Sequence, residues 1–291
     1  MKIKFWGVRG SIPVPGKSTL KYGGNTPCVQ LQFDDTNIIL DAGTGLREFG
    51  NYLITQHNSS KQINLLISHT HWDHIQGIPF FLPFFRKEYY VKIFSSITRG
   101  NEEGFFIDAQ MNPNFFPVSK EIFNAQIEFD RIMENISFYI GEIRVDTLPV
   151  NHSLGTLAYK FSFGNKSLIY MTDNEIRFNI RDNNFSEEGL YQLNENLIEF
   201  CQNADVLIHD CMYNKENLIS KIGWGHSNNI SVTHFSILAG VKKLVLFHYD
   251  PDFSDSAIDK LLQDALNIIK EKDSDLECIA SREGMELEIV I

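Results

Sequence analysis

The sequence predicts an α/β protein built on two packed, mixed β-sheets flanked by helices. Three observations predict it. Short runs rich in β-branched and aromatic residues recur along the whole chain. Helical spacing of apolar residues separates only some of them. Several neighbouring runs are joined by turns too short for a crossover helix, which requires antiparallel pairing and rules out a purely doubly wound parallel sheet.

In chain order, the strand runs are 3–6, then 28–33 and 37–40, joined by a turn at Asp34-Asp35. A helical pattern at 46–55 precedes the runs 63–67 and 91–94. The run 143–150 follows the turn residue Gly141, and 157–163 and 167–171 flank Gly164-Asn165. The last third alternates a helix (188–201), a strand (206–208), a helix (229–239), a strand (244–247) and a helix (256–270). Ser254-Asp255 stands where the final helix needs a cap. The stretch 100–129 is different. Phe105-Phe106 and Phe115-Phe116, interrupted by Pro113 and Pro117, read as an irregular insertion or lid, with a packed subsidiary cluster as the alternative. No long linker or low-complexity tract breaks the chain, so residues 1–291 are expected to form one domain.

Composition limits the function classes. With 43% hydrophobic and 22% charged residues the chain is globular and not disordered. No apolar run approaches the roughly 20 residues of a membrane span, and the first residues show no h-region or small-residue cleavage site, so no secretory signal is expected. Cys28, Cys201, Cys211 and Cys278 are scattered and make neither a disulfide framework nor a CxxC site, so reduced thiols and a cytoplasmic location are expected. The net charge of −11 argues against long nucleic acid as a partner. Residues 1–33 nevertheless hold Lys2, Lys4, Arg9, Lys17 and Lys21 and no acid. Such a segment could focus a small anion or simply be a solvated edge. The run from Phe80 to Phe85 could serve as a homodimer interface, with core packing as the alternative.

The most informative segment is His69-Thr-His71-Trp-Asp73-His74, directly after the apolar run 63–67. His69 and His71 are two apart and point the same way from an extended backbone. Asp73 and His74 stand where a helix could begin. Three imidazoles and a carboxylate within six residues suit two metal ions with N and O donors, zinc first. Four more polar residues come directly after apolar strands: Asp41, His152, Asp173 and His248. Strand ends are where α/β architectures place their sites.

Together these residues closely resemble the metallo-β-lactamase superfamily, whose signature is HxHxDH with later His, Asp and His ligands. The resemblance spans essentially the whole chain and implies an αββα sandwich. It implies that His69, His71 and His152 hold a first ion, that Asp73, His74 and His248 hold a second, and that Asp173 bridges them. Asp41 would support the ligands from behind. Two zinc ions are expected, with manganese(II) or iron(II) as alternatives.

Two further segments, Asp205–Asp210 and Gly223-Trp-Gly-His226-Ser227-Asn228, resemble the phosphodiesterase branch, which includes the tRNA 3′-processing endonuclease and cyclic phosphodiesterases. Carried over, His226 is the proton donor and Asp210 the acid that pairs with it; Asp73 counts with them as catalytic. The tRNA enzyme has Glu in place of Asp210. Phosphodiester cleavage expels a poor alkoxide, which needs a proton or a metal to leave. The resemblance implies a phosphodiesterase acting on a small nucleotide, cyclic nucleotides included, by attack of a metal-bridging hydroxide. The alternatives are tRNA 3′ processing, a thioesterase or lactonase, and a non-catalytic ligand-binding regulator. Phe5–Ser11, Tyr22–Thr26 and 221–226 resemble a bacterial subgroup of this branch. There Arg9 and Ser11 could approach a phosphate or merely form a turn. His57, His209 and His234 read as structural or exposed.

Overall fold

The β-branched and aromatic runs become strands, and the turns between them become hairpins where the sequence leaves no room for a helix. In the computed structural model, which describes residues 1–56, 60–96, 104–178 and 186–290, the strands are β1 (Lys2–Gly7), β2 (Cys28–Phe33), β3 (Thr36–Leu40), β4 (Gln62–Ile67), β5 (Tyr90–Ser96), β6 (Gln126–Ile132), β7 (Ser137–Ile140), β8 (Ile143–Pro149), β9 (Leu157–Phe163), β10 (Lys166–Met171), β11 (Val206–Asp210), β12 (Lys243–Phe247), β13 (Glu277–Ala280) and β14 (Glu286–Glu288). The helices are α1 (Gly45–Thr55), α2 (Phe105–Gln110), α3 (Glu187–Cys201), α4 (Lys215–Leu218), α5 (Asn229–Leu238) and α6 (Asp255–Glu271). The caps follow the sequence: Ser254 accepts the N–H of Ala257 at the start of α6, and Asn228 accepts that of Ser231 at the start of α5.

The chain divides into two compact units, Met1–Met133 with Arg282–Val290, and Glu134–Ser281. Each contains one seven-stranded mixed sheet. The first runs β14-β1-β2-β3-β4-β5-β6 and the second β13-β12-β11-β10-β9-β8-β7. The pairing pattern is the same in both. In the first, β14, β1, β2 and β3 pair antiparallel, and β3 to β6 pair parallel. In the second, β7 to β10 pair antiparallel and β10 to β13 pair parallel. The hairpins expected at Asp34-Asp35, Gly141 and Gly164-Asn165 join β2–β3, β7–β8 and β9–β10.

Four strands gave no clear sequence signal: β6, β7, β13 and β14. They are the four sheet edges. Edge strands are half solvated and carry charge that discourages further pairing, so their apolar content is low. Gln126-Ile-Glu-Phe-Asp-Arg-Ile132 and Glu286-Leu-Glu288 show this alternation.

The core of the first unit packs α1 and the 78–85 turns against β3, β4 and β5. Phe49, Phe81 and Phe84 are fully buried, with Phe49 stacked on Phe81 at 6.1 Å and Phe81 edge-on to Phe84 at 5.2 Å. Burying each such ring fully stabilises the fold by about 1.5–3 kcal/mol. The Phe80–Phe85 run therefore divides, with Phe81 and Phe84 in the core and Phe80 facing outward. Of the 100–129 stretch, residues 100–103 lie outside the described residues. Phe106, Ile107 and Met111 join the core cluster, whereas Phe115 is 85% exposed. Among the described residues no helix is long and apolar enough to cross a membrane.

Candidate metal centre and catalytic pair

In the first unit the parallel pair β3–β4 ends with Leu40 opposite Leu66. The chain then leaves β3 through Asp41, whose backbone is left-handed (φ 60°), a conformation Asp tolerates better than most residues. The turn aims the Asp41 carboxylate at the end of β4. There Oδ1 accepts the Ser68 N–H at 2.7 Å, and Oδ2 accepts the Ser68 hydroxyl at 2.9 Å. Oδ2 also lies 2.8 Å from His74 Nδ1. Asp41 is fully buried, a costly state for a carboxylate unless its lone pairs are filled, as they are here. Its bond to His74 Nδ1 fixes the imidazole tautomer and turns Nε2 toward Asp73, whose Oδ2 is 3.4 Å away.

The segment 68–74 holds the remaining donors. Ser68 Oγ lies 3.1 Å from His69 Nδ1. The His69 ring is 4.4 Å from His71 and 4.3 Å from His74. Where a helix was expected to begin, Trp72–His74 form a single 3-10 turn closed by His74 N–H to the His71 carbonyl at 3.0 Å. Asp73 Oδ2 accepts the backbone N–H of Ser11 at 2.7 Å. Glycine permits the close passage of this segment: a Cβ on Gly77 would fall 2.0 Å from the Gly43 carbonyl oxygen. All four HxHxDH donors and Asp41 thus come together.

The second unit gathers the others at the ends of β8, β10, β11 and β12. Asp173 follows β10 with φ 43°, and His248 follows β12 with φ 58°. Asp173 Oδ2 is 3.5 Å from His152 Nε2, and Oδ1 is 3.2 Å from His248 Nε2. The Thr172 hydroxyl donates to Asp173 Oδ1 at 2.7 Å. His152 Nδ1 donates to the Gly225 carbonyl at 2.9 Å, so its Nε2 is the nitrogen turned to Asp173. Asp173, Asp210, His226 and His248 each offer a donor atom within 4.8 Å of the others.

His226 and Asp210 are a close pair, with Nδ1 to Oδ2 at 2.5 Å. Asp210 is fully buried at the end of β11, and its other oxygen accepts the N–H groups of Met212 (3.0 Å) and Ser227 (3.1 Å). The carboxylate is thereby fixed and fixes the ring. His226 stacks on His248 at 5.3 Å and lies 4.9 Å from the His152 ring.

The contacts made by several contributors were not assigned from the sequence. Ser11 and Gly225 act through backbone atoms, which no side-chain pattern marks. Glu175 accepts the N–H groups of Gly223 and Gly225 and pins the loop that carries His226. Arg9 is fully buried, and its Nε donates to the Gly23 carbonyl at 2.9 Å, holding the N-terminal loop. His209 points to the opposite face of β11 from Asp210. It is buried, with Nδ1 2.7 Å from the Asp210 carbonyl and Nε2 accepting from Asn174. His234 is half-buried in α5; His57 lies outside the described residues.

A family model described as "Beta-lactamase superfamily domain" matches residues 36–249. The chain belongs to the metallo-β-lactamase superfamily. Over its whole length this superfamily member is similar to Ribonuclease Z of Picrophilus torridus, at 26% identity over 315 positions covering 99% of this chain and 96% of that protein. Among solved structures it is similar to the metallo-β-lactamase fold protein YhfI of Bacillus subtilis (TM-score 0.69, 17% identity, 99% of both chains). It is similar also to unliganded yeast PDE1 (TM-score 0.66, 15% identity, 99% of both chains). The two mixed sheets are those of the metallo-β-lactamase fold, and the protein is a hydrolase of that superfamily.

Proposed function

We propose that this hydrolase is a dinuclear zinc phosphodiesterase acting on a small nucleotide, with cyclic nucleotides among its substrates. The observation that carries the reading is the His226–Asp210 pair beside Asp173 and His248. A thioester expels a stable thiolate and needs no such proton donor, whereas an alkoxide leaving group does.

The residues present fit a pair of divalent ions. His74 and His152 each spend Nδ1 on a fixed oxygen and keep Nε2 for a ligand role, and the remaining donors are imidazole and carboxylate, which suit zinc. In this proposal His69, His71 and His152 hold one ion, Asp73, His74 and His248 hold the other, and Asp173 serves both. The two units then act as a single catalytic domain. Bound zinc supplies Lewis acidity, lowering the pKa of water and neutralising phosphate charge. The protein's own contribution is positional. Asp41 and Gly225 orient imidazoles, and Ser11 N–H orients Asp73. Asp210 holds His226 so that Nε2 presents a proton to the departing oxygen and compensates the charge of the imidazolium. The four buried, unpaired thiols are consistent with a reducing, cytoplasmic setting.

A second reading, cleavage of an RNA 3′ extension, is favoured by the full-length similarity to Ribonuclease Z. The net charge of −11 ranks it below the first. One panel assay of the zinc-loaded enzyme separates them, using cyclic mononucleotides, an aryl phosphodiester, pre-tRNA and a thioester. The proposal expects the small phosphodiesters to be preferred. Preference for the thioester would overturn it, and preference for pre-tRNA would install the second reading.

A further inference from the structure

The first unit contains a cavity of about 730 Å³ that the proposed chemistry does not use. This is within the range of small-molecule sites. Its walls come from α1, the 70–80 segment and the 105–116 stretch. Thr70 and Trp72, which line it, alternate in sequence with His69 and His71. One short strap therefore carries imidazole donors and cavity-lining side chains in turn.

The lining includes six aromatic rings. Phe80 and Phe116 meet edge-to-face at 5.6 Å, and Trp72 and Phe115 are 71% and 85% exposed. Rings left this open present π faces to an occupant. Gln76 and Gln110 supply polar atoms in the same lining. Each spends an Nε2–H on the protein, on Thr26 Oγ1 (3.0 Å) and the Phe106 carbonyl (3.1 Å), which leaves the amide oxygen to accept from an occupant. A planar heterocycle with edge N–H groups satisfies both features. An alkyl chain would cover those amide oxygens without a hydrogen bond, at a desolvation cost.

We propose that this cavity is a subsite for the nucleobase of the substrate, clasped by Phe80, Phe115 and Trp72. The assignment rests on the phosphodiesterase reading for the position of the scissile phosphate, but its binding can be measured without turnover.

The test has two arms, each with the full-length zinc-loaded protein and the variants Phe80→Ala and Phe115→Ala. Phe115 is the safer variant for folding because it is so exposed. In calorimetric titrations the probes are adenosine, sodium decanoate and inorganic phosphate. Adenosine is expected to bind and to weaken about tenfold in either variant, within the range for lost base stacking, while phosphate affinity stays unchanged. Decanoate binding in preference to adenosine, or adenosine binding indifferent to both substitutions, would overturn the proposal. The kinetic arm compares the 4-nitrophenyl ester of adenosine 5′-monophosphate with methyl 4-nitrophenyl phosphate, which share a leaving group and differ in the nucleoside. The variants should raise KM for the nucleotide ester alone; equal loss on both esters contradicts a base subsite. If the wild type hydrolyses neither ester, the phosphodiesterase reading fails, and the titrations still decide the cavity.

Discussion

The Nδ1–H of His152 donates to the backbone carbonyl of Gly225 at 2.9 Å. The loop that presents His226 therefore also sets the ring of a candidate metal ligand. Glu175 pins that loop through Gly223 and Gly225, and Asp210 grips both His226 and the N–H of Ser227. Proton donor and ligand are positioned by one piece of backbone.

Gly225→Ala tests this coupling. A Cβ there would fall 2.3 Å from His152 Nδ1, on a backbone with φ of 82°. The variant should bind metal more weakly and lose activity by about 10- to 100-fold, the usual cost of disturbing a group that orients a ligand. Zinc titration and turnover measured together check it, with the circular dichroism melt confirming that the chain still folds.

Asp173→Ala should cost most of the activity and leave fewer than two ions per chain. Its two oxygens face His152 and His248, so removing it frees both imidazoles at once. Elemental analysis is the measurement. Fully active wild type with a single tightly bound ion would exclude the dinuclear arrangement.

Much of this was legible because its signals are consecutive or end a strand. His69, His71, Asp73 and His74 sit within six residues, and Asp41, Asp173 and His248 each follow an apolar run. Those last three share left-handed backbone, a strained exit that turns the side chain back across the sheet end. Apart from the Glu175 carboxylate, what the sequence did not announce acts through the main chain. The Ser11 N–H and the Gly225 carbonyl exist at every residue and become special only in the fold. The four edge strands were missed for another reason: their solvated faces dilute the apolar alternation that marks a strand.

His209 gives a pH prediction independent of catalysis. Burial pushes its imidazole below the usual value and outweighs the attraction of Asp210. The unfolded chain, with an ordinary histidine near about 6.5, takes up the proton first as the pH drops. Stability from neutral His209 is therefore complete above that value and is lost as the pH falls toward the lower folded-state value. Urea unfolding of the metal-free protein at about pH 7.5 and about pH 5.5 should show a smaller drop for His209→Gln than for wild type. Equal drops would contradict the assignment.

Salt dependence separates the two substrate readings. A small nucleotide neutralises few charges, so KM should rise gently with salt, whereas a tRNA substrate held by many phosphate contacts should lose affinity steeply. Kinetics on a cyclic nucleotide and on pre-tRNA across a salt series measure both slopes.

The most direct test of the account is the leaving-group dependence of His226→Ala. His226 is absent from the proposed ligand set, so the variant should remain folded and keep both ions. General acid assistance is worth about 10² to 10⁴ in rate. The variant should lose that much on a diester that expels an alkoxide, and far less on a 4-nitrophenyl diester, whose phenolate leaves without a proton. Asp210→Asn should shift the ratio in the same direction, more weakly. A ratio of the two rates that collapses in His226→Ala, with both ions retained, is the predicted result. Equal slowing on both substrates, or loss of metal, would contradict His226 as the proton donor and remove the main support for a phosphodiesterase.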